Sequence, residues 1–286
     1  MRILVLTAAL VCLNSPGSAA GELTGTLKHI ADTGVMQIGF REAEPPMSFL
    51  DKSGQPVGYS IDICNHIAAA VKQKIGRTDI AVEFVPVTAE TRFSSIESRD
   101  TDILCGATTK TLGRSERVDF TQLTFVTGAS LLSLDATKVP GIMSLKGKRV
   151  AVVGNTTTIE ALERVLKARL VDAEVVSVSS AAEGMAALDK GEVAAFSSDQ
   201  VVLIGLAITR QDQQNYYLAE ELFSYEPFAL AVKRDDASFR LVADRALSQL
   251  YRNNQISAIY RKWFGRFSPE IPLLLKALYQ LHATPE

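Results

Sequence analysis

Short apolar runs alternate with amphipathic stretches along almost the whole 286-residue chain, and that alternation is the strongest constraint on its fold. Val35 to Phe40 reads as a strand. Gly58 to Ile75 reads as a helix, with Ile63, Ile67, Ala70 and Val71 on one face at helical spacing. Ile80 to Val87 and Asp102 to Cys105 read as strands on either side of a short helix over Thr91 to Glu97. Lys148 to Val153 is followed by a Gly154 turn and a helix to about Leu170; Glu174 to Val178 by a helix that Ser180 and Glu183 open as a capping box; Val193 to Phe196 by a helix over Gln200 to Thr209. Phe228 to Val232 is strand-like, and helices are expected at Ser238 to Asn253, Ile256 to Phe264 and Leu273 to Leu281. Strand then helix, repeated, is the signature of an α/β protein.

Two apolar segments, Phe125 to Leu132 and Phe228 to Val232, are candidate crossings between two lobes. If the chain leaves one lobe, builds a second and returns, a cleft lies between the lobes above two hinge strands. Small molecules favour such clefts, and hinge closure traps them. The expected division is a signal peptide over 1–20, the first part of lobe 1 over 21–128, lobe 2 over 129–230, and the return to lobe 1 with C-terminal helices over 231–286.

The beginning of the chain is the second constraint. Met1 and Arg2 precede the apolar run Ile3 to Leu13, the breaker Asn14-Ser15-Pro16-Gly17 and the small residues Ser18-Ala19-Ala20, which is the layout of a cleaved export signal. The run is short of the ~20 apolar residues that a membrane span needs. A net charge of −2 offers no basic surplus for nucleic acid or anionic lipid. Cys12 leaves with the signal; Cys64, on an apolar helix face, and Cys105, ending an apolar strand, read as two buried free thiols, with a disulfide as the alternative. His29, His66 and His282 are scattered, so neither a metal site nor a cofactor is expected.

Several segments, in order, carry a resemblance: Gly39-Phe40-Arg41-Glu42 and Pro46-Met47-Ser48-Phe49, Val57 to Asp62, Val87 to Arg92, Asp102 to Thr109, Arg114 to Thr121, Leu145 to Val150, and Tyr260-Arg261-Lys262-Trp263-Phe264. From about Leu27 to Phe267 the chain resembles the solute-binding proteins of family 3, the type II periplasmic amino-acid receptors, and most of all their glutamate/aspartate-binding branch. The resemblance implies a two-lobed α/β fold of the periplasmic binding protein type II kind. It implies a periplasmic, non-catalytic protein that delivers a small acidic L-amino acid to the membrane permease subunits of an ABC importer; the slight net negative charge fits a monomer.

It also implies roles for residues. Arg114 would hold the ligand's α-carboxylate through its planar fork; by spacing alone it reads as one surface charge among Glu116 and Arg117. Thr109 and the backbone of Ala107 would add contacts from the same loop. Thr156 and Thr157 open a helix, where free N–H groups suit a carboxylate and also suit simple capping. Asp199 would hold the α-ammonium, or cap the helix that it begins. Arg41 and Arg92 would hold the distal carboxylate of an acidic ligand; Arg41 otherwise reads as a loop charge paired with Glu42 or Glu44. Ala89, Ala107 and Ala181 stand where the branch has polar contacts. Phe40, Phe49 and Tyr59 read as core. The competing class is an enzyme on the same fold, a dehydratase acting on a small carboxylic acid, for which Glu42 and Glu90 are the nearest candidate acid–base groups. A third class, the sensor domain of a membrane receptor, would require a separate membrane partner.

Overall fold

The computed structural model describes residues 22–210 and 215–286, so the expected signal peptide lies outside the described residues. After α1 (Gly25–Thr33), β1 (Val35–Phe40) leads into three short antiparallel strands, β2 (Ala43–Glu44), β3 (Ser48–Leu50) and β4 (Pro56–Val57). Then come α2 (Tyr59–Ile75), β5 (Ala81–Pro86), α3 (Arg92–Ser98), β6 (Ile103–Cys105) and the long β7 (Val118–Thr127). A second series follows: β8 (Ala129–Leu134), β9 (Arg149–Val153), α4 (Thr157–Ala168), β10 (Glu174–Val178), α5 (Ala181–Asp189), β11 (Ala195–Asp199), α6 (Gln200–Thr209) and β12 (Tyr216–Leu218). The chain returns through β13 (Glu226–Lys233) and finishes with α7 (Ala237–Arg252), α8 (Ile256–Phe264) and α9 (Leu273–Leu281).

Two five-stranded sheets result, ordered β5-β1-β6-β13-β7 and β10-β9-β11-β8-β12. In each, three strands run parallel and the crossing strands add antiparallel partners. The parallel strands are covered on both faces, which is why β6 and the run Val150 to Val153 are apolar without alternation. In the second sheet, Leu162 and Leu166 of α4 pack with Val150 and Val152, while Met185, Leu188 and Val202 pack with Phe196. In the first, Ile63, Ile67 and Phe239 cover one face, and Phe93, Ile96 and Phe120 the other.

The local signals act where they stand. Gly58 has φ +142°, and a Cβ there would lie 2.3 Å from the Met47 carbonyl oxygen, so the entry to α2 requires glycine. The Thr156 side chain caps α4 by accepting from the Ile159 N–H, and the Ser180 side chain caps α5 by accepting from the Glu183 N–H. The reciprocal half of the α5 box is displaced by one residue, since the Glu183 carboxylate accepts from the Ser179 N–H rather than from Ser180. Tyr59 is fully buried, as a core reading of it requires; its hydroxyl meets the Thr124 carbonyl at 2.9 Å and the Tyr279 hydroxyl at 2.7 Å, which ties α9 to the first lobe.

The passage between sheets corrects one boundary. The chain leaves the first sheet at Gly128, but Phe228 and Ala229 pair with β7 inside the first sheet. The return therefore falls before Glu226, near Ser224, whose hydroxyl accepts from the Ala129 N–H at 2.9 Å. An apolar run marks burial in either lobe equally well, so periodicity alone put the boundary at 230.

A second correction concerns the thiols. Cys64 and Cys105 are both buried, but they form a disulfide, with Cα atoms 6.4 Å apart. The apolar face of α2 lies on β6, and this brings the two within bridging distance. The bridge closes a loop with a sequence separation of 41, worth about 4 kcal/mol on a chain-entropy account. Urea unfolding of the Cys64→Ser/Cys105→Ser protein is expected to show a loss of about 2–4 kcal/mol against the oxidised protein. Coincident curves would show that the bridge adds nothing to stability.

Candidate functional site

One cavity between the lobes is walled by all eight residues singled out from the sequence: Arg41, Arg92, Ala107, Thr109, Arg114, Thr156, Thr157 and Asp199. Seven of them converge because they lie at or beyond the ends of parallel strands, while Arg114 opens the short 3-10 turn that precedes β7. Arg41 follows β1, Arg92 opens α3 after β5, and Ala107 and Thr109 follow β6. Thr156 and Thr157 follow β9, and Asp199 ends β11. Open α/β sheets bind ligands at the carboxyl ends of their strands, and here two such edges face each other.

Arg114 donates through Nη1 to the Thr109 carbonyl at 2.8 Å, which fixes the guanidinium beside that loop. Arg92 is 4% exposed and donates through Nη2 to the Asn155 carbonyl of the opposite lobe at 2.9 Å. Both guanidiniums lie over the Phe93 ring, at 4.8 and 5.4 Å from its centroid. Burial first, and then the neighbouring Arg114 and Arg41, push the Arg92 pKa down to about 9, so it remains charged at neutral pH. Burial also lowers that of Arg114. Arg41 pairs with Glu44 at 3.0 Å, as one sequence reading allowed. Phe40, Phe49 and Tyr59 are absent from the cavity wall.

Asp199 stands at the N-cap position of α6, yet its side chain makes no capping hydrogen bond. Its Oδ1 is buried without a partner. Burial, followed by Glu226 and Glu44, raises its carboxyl well above the usual range. Among the described residues, two other buried side-chain atoms lack partners, Glu44 Oε2 and Arg92 Nε, and both belong to residues of the same cavity wall. Orphaned buried polar atoms are rare and costly. All three belong to residues that line this one cavity.

Sequence reasoning overlooked two acidic residues here. Glu226, 2% exposed, lies beneath the cavity; its Oε2 accepts from the hydroxyls of Thr109 at 2.6 Å and Thr157 at 2.8 Å, and its Oε1 from Ser224 at 2.6 Å. Those donors come from both lobes and from the return crossing. An acidic residue heading the apolar run Pro227 to Val232 was its only signal. Glu44 was visible only as a possible partner of Arg41. Ser197, Ser198 and Thr158 also line the wall. The wall supplies arginine donors together with carboxylate and hydroxyl groups.

The Asp199 shift has a sign that can be tested. A raised carboxyl gives stability that is present below its ordinary value and lost as pH rises through the raised one. Asp199→Asn is therefore expected to melt higher than the native protein at pH 8, with the gap shrinking toward pH 4. Calorimetry showing the same gap at both pH values would contradict the burial argument.

Residues 36–266 match the family model described as bacterial extracellular solute-binding proteins, family 3. The chain is 33% identical over 94% of its length to an L-glutamate/L-aspartate-binding protein of Pseudomonas aeruginosa, covering 90% of that protein. It is 28% identical over 91% of its length to a glutamate/aspartate import solute-binding protein of Escherichia coli K12, covering 85% of that protein. Among solved structures it is similar to an ancestral amino acid-binding protein, a precursor of cyclohexadienyl dehydratase. There the TM-score is 0.71 and the identity 26%, with 84% of this chain and all of that one covered.

Proposed function

Since the chain belongs to the bacterial extracellular solute-binding proteins, family 3, we propose that it is the exported binding component of an ABC importer and that its ligand is a small acidic L-amino acid. The observation that carries this reading is the set of three orphaned polar atoms around one inter-lobe cavity. Arg114 takes the α-carboxylate, with Thr109 and the start of α4 adding donors. Asp199 Oδ1 takes the α-ammonium, whose charge relieves the cost of the buried carboxylate. Arg41 and Arg92 take the distal carboxylate. The relatives named for glutamate and aspartate support the acidic end.

Delivery follows from closure. The ligand reaches groups of both lobes only when they approach, so it favours the closed arrangement and offers that shape to the permease. Gly205 of α6 lies tightly against the first lobe: a Cβ there would lie 2.2 Å from the Pro45 carbonyl oxygen. The dehydratase alternative has less support. Glu42 is exposed, Glu90 is absent from the cavity wall, and the acids that are there, Glu44 and Asp199, face arginines.

Thermal shift of the refolded mature protein against L-amino acids tests the reading. Ligand at 100 times its Kd adds about 2.7 kcal/mol. Glutamate or aspartate is expected to raise the melting temperature; a shift with neutral amino acids alone would discard the acidic end, and silence across the panel would discard the receptor. Arg114→Ala is expected to weaken every amino-acid ligand by about 100-fold, from the loss of charge-assisted bonds worth about 1.5–3 kcal/mol each. Arg92→Ala should weaken acidic ligands far more than neutral ones, and equal losses would remove Arg92 from the specificity assignment. Gly205→Ala is expected to keep the ligand-free melting temperature, since alanine favours a helix by about 1 kcal/mol, while lowering affinity at least tenfold. Unchanged affinity would show that closure does not need this contact.

A further inference from the structure

The end of the cavity assigned to the ligand's distal group holds more than two arginines. Glu44 lies with them, its side chain only 17% exposed. Its Oε1 is engaged by Arg41 Nη2 at 3.0 Å, while its Oε2 is buried with no partner. Arg92 Nε, on the same wall, is a buried donor with no partner. Gly106 borders this end, where a Cβ would approach Glu44 Oε2 to 3.7 Å. The two orphaned atoms have opposite requirements: Arg92 Nε needs an acceptor and Glu44 Oε2 needs a hydrogen. A fully ionised carboxylate supplies the first and denies the second. It would also set two anionic carboxylates within hydrogen-bond reach in a buried space, where only one of the pair can ionise freely.

We infer that Glu44 is a specificity-determining residue that takes a hydrogen from the ligand's distal group, so that glutamate or aspartate binds with the uptake of one proton. That proton comes from solvent and lies between Glu44 Oε2 and one distal oxygen of the ligand; the other distal oxygen accepts from Arg92. Ligand carboxylate, Glu44 carboxylate and one proton together carry a single negative charge, which Arg41 and Arg92 face. A side-chain amide brings its own N–H to Oε2 and its carbonyl to Arg92, and needs no proton. The inference rests on the acidic amino-acid reading above and refines it: the distal end discriminates by protonation, and glutamine fits it without any.

Other titratable groups near Glu44 are accounted for. Arg41 and Arg92 face it, and Arg92, lowered to about 9, remains charged at neutral pH. Asp199, at the start of α6, faces it and is itself held above the usual range by burial. The rest of α6 has no titratable residue before Arg210, and β3 has none. On α5, Glu183 is engaged by Ser179, and Asp189 by Arg210 and Tyr216. Glu42 is exposed. Any proton that Asp199 gains or loses on meeting the α-ammonium is common to all amino-acid ligands, so it cancels when two ligands are compared.

Titration calorimetry in two buffers of different ionisation enthalpy counts protons taken up on binding. At pH 7 the count for glutamate minus that for glutamine is expected to be about one, and from pH 7 to 8 the glutamate affinity should fall about tenfold relative to glutamine. In Glu44→Gln the side-chain amide donates without titrating, so glutamate should bind with the difference abolished and the relative pH slope flat. Retained binding of glutamine would show that this variant is folded. Tight glutamate binding by the native protein with the same proton count as glutamine overturns the inference and leaves the acidic reading intact, as does a difference that survives in Glu44→Gln. Failure of glutamate and aspartate to bind at any pH from about 5 to 8 overturns the acidic reading and this inference with it.

Discussion

Charged side chains that face one another across an enclosed space must each find a partner, and the cleft of this protein is organised around that requirement. Arg41, Arg92 and Arg114 meet Glu44 and Asp199 in the wall, with Glu226 beneath. An unpaired charge in such a place is expensive, and removing one member of a pair costs more than the pair contributes. The chain meets part of the demand itself. Glu226 collects three hydroxyl donors, Arg41 has Glu44, and Arg114 has the Thr109 carbonyl. What remains, at Asp199, Glu44 and Arg92, is a pattern of one buried donor and two buried acceptors without partners, which the proposed amino-acid ligand would complete.

Glu226 also connects the charge arrangement to the mechanics. Its hydroxyl donors come from the first lobe, from the start of α4 in the second, and from Ser224 beside the return crossing. The outward crossing at Gly128 lies against the return: Phe223 donates to the Ala129 carbonyl, and a Cβ on Gly128 would lie 2.5 Å from the Ser224 carbonyl oxygen. The two crossings therefore run as a close pair, so relative movement of the lobes in the proposed closure would bend both together. Arg92 reaching the Asn155 carbonyl is a further polar link that such movement would make or break. Hinge motion needs only a few residues to absorb the change in dihedral angles.

The C-terminal helices have a different part. They do not line the cavity; they finish the first lobe. Tyr279 of α9 meets Tyr59 at the start of α2, and Phe264 of α8 stacks on Phe125 at 5.1 Å. Tyr59 stands one residue after Gly58, whose backbone shape sets the entry of α2 against the loop carrying Pro46 and Met47. The same loop meets α6 of the other lobe at Gly205. A packing device in the first lobe thus supports the surface that α6 of the second lobe meets.

Local periodicity was enough to locate β1, α6, α8 and α9 to the residue, because apolar spacing and capping act over a few positions. The resemblance carried by the ordered motifs was what brought forward the eight residues that meet in one cavity, since spacing alone read Arg114 as a surface charge and Arg41 as a loop charge. Two residues escaped that reading. Glu226 is more than 100 positions from Thr109, and Glu44 looked like any loop charge beside Arg41. The bond between Cys64 and Cys105 escaped it as well: burial was legible, but whether two buried sulfurs touch depends on how α2 lies on β6. The boundary at 230 failed for a related reason, because an apolar strand does not say which sheet it joins. By itself the sequence determined the elements, their order, the family and the chemical kinds of group available to a ligand. The tertiary structure alone decided which of those groups face each other and which are left without partners, because pairing between distant positions is set by packing geometry and not by spacing along the chain.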